Sequence, residues 1–135
     1  VSPEELAEAL ASLGPGVRSL EVGARELAEL EWTRAQDLED VALVGRATRR
    51  LGELLASHLE SGGGSAASSE ALRSLRHDLR SQVGATRGCV EMIQESLEEA
   101  GEAPLGAPQL LERLEGEANA LLGSLVALQG PAPSG

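Results

Sequence analysis

Between Leu72 and Leu97 the apolar positions return every three or four residues: Leu72, Leu75, Leu79, Val83, Thr86, Val90, Ile93 and Leu97. Side chains at that spacing fall on one side of a helix turning 3.6 residues at a time, so the stretch predicts an amphipathic α-helix. Leu111, Leu114, Ala118, Leu121, Leu125 and Leu128 repeat the pattern, and Leu110 and Leu122 widen the second stripe. Ser68 or Ser69 caps the first helix and Glu70 adds negative charge to its first turn. Gly101 and Pro104 supply the stop, and Pro108 restarts a second helix running to Gln129. A connection of about six residues makes the two helices antiparallel neighbours.

Strand signals are nearly absent, and the chain has no Phe, no Tyr and one Trp. Any core is therefore built from Leu, Val and Ala, which suits helices meeting along narrow seams. The expected fold class is all-α. A two-helix hairpin shields its apolar faces poorly alone, so the expectation is a four-helix bundle made by pairing two hairpins across a homodimer.

Four regions are expected: a helical segment over 1–60, a Gly/Ser linker over 61–69, the hairpin over 70–129 and a disordered tail over 130–135. Ser2-Pro3-Glu4-Glu5 has the order of a capped helix start. That helix should run to Leu13 as a possible lid, with Gly14-Pro15-Gly16 ending it. From Val17 to Leu59 no Pro intervenes, and Leu20, Ala24, Leu27, Leu38, Val41, Thr48, Leu55 and Leu59 fit heptad spacing, which predicts one long helix with Gly45 as its bending point. The same register puts Glu31, Arg34, Gly45 and Gly52 on the seam, a flaw in the pattern. Trp32 reads as a half-buried packing anchor. Two arrangements stay open: the long helix folds back on the hairpin, or it forms a separate dimer stalk.

The net charge is −11, which opposes sequence-independent binding to nucleic acid or anionic lipid. No apolar run approaches the roughly 20 residues that span a bilayer, so no membrane insertion is expected. A single cysteine, Cys89, excludes an internal disulfide and fits a reducing, cytoplasmic setting. It reads as a small packing residue. No His, Asp or Glu cluster has metal-ligand spacing. His58 reads as a cation near a helix C-terminus.

His77 falls off the apolar stripe, two residues from both Leu75 and Leu79, which puts it toward solvent. Asp78 follows it directly, Arg76 precedes it, and Arg80 and Ser81 lie one turn on. An exposed imidazole can act as a nucleophile toward phosphorus, and a neighbouring carboxylate can orient it or take its proton. The arginines can offset phosphoryl charge, and Ser81 can contact the phosphoryl group or a water. An ordinary surface histidine is the plain alternative.

The run His77-Asp78-Leu79-Arg80-Ser81 resembles the H-box of the dimerisation and histidine phosphotransfer domain of bacterial sensor histidine kinases. That motif reads His, an acidic residue, an aliphatic residue, Arg or Lys, Thr or Asn, then Pro-Leu. The match covers about Ser69 to Leu128, with the second helix matched by pattern only. Gln82 stands where the family has Pro, and Ser81 where it has Thr or Asn. The resemblance implies a dimeric phosphotransfer module of a two-component pathway, with His77, Asp78, Arg80 and Ser81 as its site. It implies a receiver domain of a response regulator as partner, and a separate kinase ATP-binding domain as a further one. The chain contains no P-loop, and no ATP-binding domain is expected in it after Gln129. ATP and Mg²⁺ would therefore act only through partner domains. The alternative is a catalytically silent dimerisation scaffold, favoured by Gln82 and Ser81. A third reading, an amphipathic binder of an apolar surface or another helix, rests only on the wide Leu/Ala stripes.

Overall fold

The structure is a computed structural model that describes residues 2–60 and 68–128. It contains five helices: α1 (Pro3–Ala11), α2 (Gly14–Glu29), α3 (Ala35–Glu60), α4 (Ser69–Ala100) and α5 (Ala107–Ala127). No strand occurs among the described residues, whose fold is all-helical. The linker assigned to 61–69 falls mostly outside the described residues, as does the tail at 130–135.

The hairpin forms where its stripes and stops predict. Ser68 Oγ accepts a hydrogen bond from the Ala71 N–H at 3.1 Å, satisfying one orphan donor of the first turn of α4. At the other end Gly101 adopts a left-handed φ of 70°, a conformation that costs Gly little, and its N–H reaches Leu97 O at 3.0 Å. Gly106 is also left-handed, and Pro108 lies in the first turn of α5. Leu72, Leu79, Val83, Thr86, Val90 and Ile93 are buried on α4, with Leu75 and Leu97 partly so. Leu110, Leu111, Leu114, Ala118, Leu121 and Leu125 are buried on α5.

The expected helix from Val17 to Leu59 is two helices. It breaks at residues 30–34, upstream of Gly45, and α3 runs through Gly45 uninterrupted. Leu30 turns extended, with ψ 157°, and its N–H bonds back to Leu27 O. Trp32 is buried and donates its indole Nε1–H to the same carbonyl at 2.8 Å. A backbone acceptor stranded at the end of α2 is thereby satisfied without continuing the helix. Arg34 Nε meets Asp37 Oδ2 at 2.9 Å, Ser96 Oγ donates to Asp37 Oδ1 at 2.7 Å, and Arg34 Nη2 donates to Ser96 O at 2.9 Å. This network ties the corner to α4. Glu31 and Arg34, the polar flaws in the heptad reading, belong to the corner itself.

The break resets the helical phase. In α3 the buried set is Asp37, Asp40, Val41, Val44, Ala47, Thr48, Leu51, Leu55 and His58. Leu38 and Leu59, read as seam residues, are 51% and 47% exposed. The start of the chain differs too. α1 stops at Ala11, and Gly14-Pro15-Gly16 opens α2 as its first turn, where the missing N–H of Pro costs no helical bond. Ser2 caps α1 as expected, accepting from Glu5 N at 3.1 Å.

With the corner made, α2 packs on α3 and α5, and α4 packs on α3 and α5, closing a ring of four helices. The long segment therefore folds back on the hairpin; it is not a separate stalk. On α4–α5 the facing pairs run in opposite senses, Arg87 Nη1 with Asn119 Oδ1 and Arg76 with Leu128, and on α3–α4 Asp37 in the first turn of α3 meets Ser96 near the end of α4. Residues from all five helices join one apolar cluster. The hairpin's apolar face is covered by α2 and α3 of its own chain, so the shielding argument that led to a dimer is met within one chain. α1 packs across α3 and α4. His58, expected as a terminal cation, is buried there with Nε2 donating to Ala7 O at 3.1 Å.

Close contact between α2 and α5 uses glycine. A Cβ on Gly23 would stand 2.4 Å from Leu114 Cδ2, and one on Gly16 would stand 2.9 Å from Leu121 Cδ2. The two glycines and the two leucines share a seven-residue spacing, so each leucine seats where a side chain is missing. Beside them Arg113 joins Glu26 at 3.2 Å, and Ser19 donates to Glu117. On α4, by contrast, a Cβ on Gly84 would meet nothing within 4 Å. Gly23→Ala should therefore destabilise the protein by about 1–3 kcal/mol through overpacking. Gly84→Ala should stabilise it by about 0.5–1 kcal/mol through helix propensity. Urea unfolding of the two variants checks the opposite signs.

Candidate functional site

α4 presents its apolar stripe to the core and its opposite side to solvent, and His77 lies on the solvent side two turns into the helix. Its side chain is exposed and forms no hydrogen bond or ion pair with another described residue. Asp78, Arg80 and Ser81 are likewise exposed, and none has a side-chain partner among the described residues.

The helix brings some of these groups together and separates others. Arg80 and Ser81, three and four residues after His77, share its face. Asp78, the next residue, points about 100° away around the helix and makes no bond to the imidazole. Arg76 is partly buried and donates Nη1 to Leu128 O at 3.1 Å, holding the end of α5 against α4. It is a tether between helices in this structure.

Gln82 has a local consequence. A Pro at this position would remove an N–H and strain the preceding turn, whereas α4 stays helical through Gln82, whose carbonyl accepts from the Thr86 hydroxyl at 2.9 Å. That bond also satisfies the Thr86 side chain inside the core. The register between His77 and the residues a turn on either side is therefore unbroken.

Sequence reading missed two residues on the His77 face: Arg73 and Ser74, four and three positions before it. The signal was the same helical spacing, applied toward the N-terminus instead of along the motif. The buried Asp37 and Asp40 were also missed, because the heptad pattern was carried across the corner.

Other groups are less open to chemistry. A cleft of about 630 Å³ lies at the far end of the hairpin, lined by Gln94, Leu97, Glu98, Leu111, Glu112 and Glu115 among others. It does not include His77. Among the described residues no cluster of His, Cys, Asp or Glu is placed to hold a metal ion, and no helix is long and apolar enough to cross a membrane. The chain matches no family model, no curated protein and no solved structure.

Cys89 is partly buried against the α3–α4 seam. Burial, and then the negative charge of Asp40, push its thiol above the ordinary range. Asp40 is itself buried, with its carboxylate facing the Gln36 amide at 3.3 Å. A folded-state pKa raised above the unfolded value gives a stability contribution intact below the ordinary thiol range and lost as pH rises through the raised value. Iodoacetamide should therefore alkylate Cys89 more slowly at pH 8 than it alkylates the unfolded chain. Asp40→Asn should speed the reaction while circular dichroism shows the helices intact. An equal rate in the variant would contradict the assigned cause.

Proposed function

We propose that this chain is a histidine phosphotransfer module of a two-component signalling pathway, accepting or relaying a phosphoryl group on His77. The observation that carries the reading is the His77 side chain itself: an exposed imidazole on the outer face of α4, with a guanidinium and a hydroxyl one turn on, none of the three side chains having a partner among the described residues. The resemblance of His77-Asp78-Leu79-Arg80-Ser81 to an H-box gives that histidine its chemistry. The core of that match is this five-residue run, in which Ser81 departs from the family pattern.

In the proposed step a neutral imidazole nitrogen attacks phosphorus and forms an N–P bond as the P–O bond to the donor breaks. The donor oxygen leaves with the bonding pair, as the carboxylate of a receiver aspartate or as ADP on a kinase domain. The proton on the other ring nitrogen passes to Asp78 through water. Arg80 offsets charge on the phosphoryl oxygens and Ser81 donates to one of them. Mg²⁺ and ATP belong to partner domains in this scheme, and the setting is cytoplasmic. The fold that carries the site is a four-helix bundle. Homodimerisation would use a surface other than the hairpin seam, which α2 and α3 cover.

A silent helical scaffold is the second reading. It is favoured by the lack of any bond between His77 and Asp78, and by Gln82 and Ser81 where the family pattern differs. Incubation with a small phosphoramidate, read by intact mass, separates the two. The phosphotransfer reading predicts an acid-labile phosphoryl adduct that is absent in His77→Ala and passes to a receiver domain. No adduct, under conditions that label a known phosphotransfer histidine, would leave the scaffold reading standing.

A further inference from the structure

Two Arg-Ser pairs bracket His77. Arg73-Ser74 and Arg80-Ser81 stand seven residues apart, with His77 four and three positions after the first pair and three and four before the second. Those offsets make side chains neighbours on a helix, with about 5–6 Å between Cβ atoms. α4 is helical through the whole stretch, so the imidazole has a guanidinium and a hydroxyl in the turn above it and again in the turn below.

All four side chains are exposed. Ser74, Arg80 and Ser81 have no side-chain partner among the described residues. Arg73 gives only its Nε, to Ser69 O at 3.4 Å, and keeps its terminal nitrogens available. Carboxylates outnumber basic residues two to one in this chain, 22 against 11, yet neither Arg73 nor Arg80 pairs with one among the described residues. Glu70, three residues before Arg73, lies on the same face of α4 yet forms no ion pair with it, and Asp78, next to His77, points away from both arginines. Arg76 differs in kind, being partly buried and committed to Leu128 O.

We propose that Arg73, Ser74, Arg80 and Ser81 form a cradle for a phosphoryl dianion at His77, with Arg76 outside it. This rests on the reading of His77 as a phosphoacceptor and adds Arg73 and Ser74 to its site. Each guanidinium offers donors in a planar fork that fits phosphoryl oxygens, and each hydroxyl offers one more. The cradle serves the incoming donor first, because a chain of net charge −11 repels an anion except where local cations offset the field. It then holds the product oxygens beside the same groups.

The test compares two reagents on His77. Phosphoramidate is an anion: a ring nitrogen forms the N–P bond, ammonia leaves with the pair of its P–N bond, and the imidazole proton goes to solvent. Diethyl pyrocarbonate is neutral and reports imidazole exposure and nucleophilicity without phosphoryl recognition. Arg73→Gln and Arg80→Gln should each lower the ratio of phosphorylation to carbethoxylation by about threefold, the size of one exposed charge contact. Arg76→Gln should leave the ratio unchanged. Unchanged ratios in Arg73→Gln, or an equal fall in Arg76→Gln, would overturn the cradle. Titration with inorganic phosphate, followed by the NMR shifts of the His77 ring, separates the cradle from the phosphotransfer reading. If phosphoramidate fails to label the protein but phosphate shifts the ring in wild type and not in Arg73→Gln, the cradle stands and phosphotransfer falls. If phosphate shifts wild type and Arg73→Gln alike, or neither, the cradle falls.

Discussion

The corner at residues 30–34 is the constraint on which the rest of the structure depends. Without it, residues 17–59 would form one helix with its apolar stripe unmatched along much of its length. The corner is made by satisfying groups that a helix end leaves bare. Leu27 O receives the Leu30 N–H and the Trp32 indole, and Asp37 receives Arg34 and Ser96. Hydrogen bonds to a buried carboxylate count for more than neutral ones, and losing one partner leaves a charge that water cannot reach. The Asp37 network therefore fixes both the direction in which α3 leaves and its position against α4.

Several consequences follow from that direction. α2 lies between α3 and α5, close enough to α5 that Gly16 and Gly23 face Leu121 and Leu114 without room for a Cβ. The hairpin's apolar stripes are then covered within the chain, and the remaining surface of α4 is its polar outer face. His77 stands on that face, held by a helix that Gln82 leaves unkinked and by the Arg76 link to the end of α5. The geometry does not bring Asp78 to the imidazole, so any help from Asp78 comes with the approach of a donor or through water. What the helix does bring to His77 are the groups three and four residues away on both sides.

Much of this was legible in the sequence because it depends on local rules. The stripes of α4 and α5, the Ser68 cap, the Gly101 stop and the exposure of His77 all follow from spacing within one helix. The corner was not legible because neither Gly nor Pro marks it. Its determinants are Trp32, which bonds backwards within the chain, and Asp37, whose partner Ser96 is distant in sequence. Carrying one heptad register across it misplaced Leu38 and Leu59 and missed Asp37 and Asp40. Gly14-Pro15-Gly16 misled for a related reason: Pro ends a helix that it would enter from the middle and favours one that it begins. At the site, the motif drew attention forward from His77 to Arg80 and Ser81, although helical spacing applies equally backward to Arg73 and Ser74.

One chain closes its own ring of helices and so leaves the face of α4 around His77 open to solvent. Glu26 on α2 and Arg113 on α5 meet at 3.2 Å across the interface that completes the ring. With both changed to Cys in a Cys89→Ala background, a short bis-maleimide applied to dilute protein reads that interface directly by intact mass. A ring closed within one chain gives a cross-linked species of one chain plus one linker, formed at a rate independent of protein concentration. Cross-links found only in a two-chain species, or labels that attach singly without bridging, would contradict it.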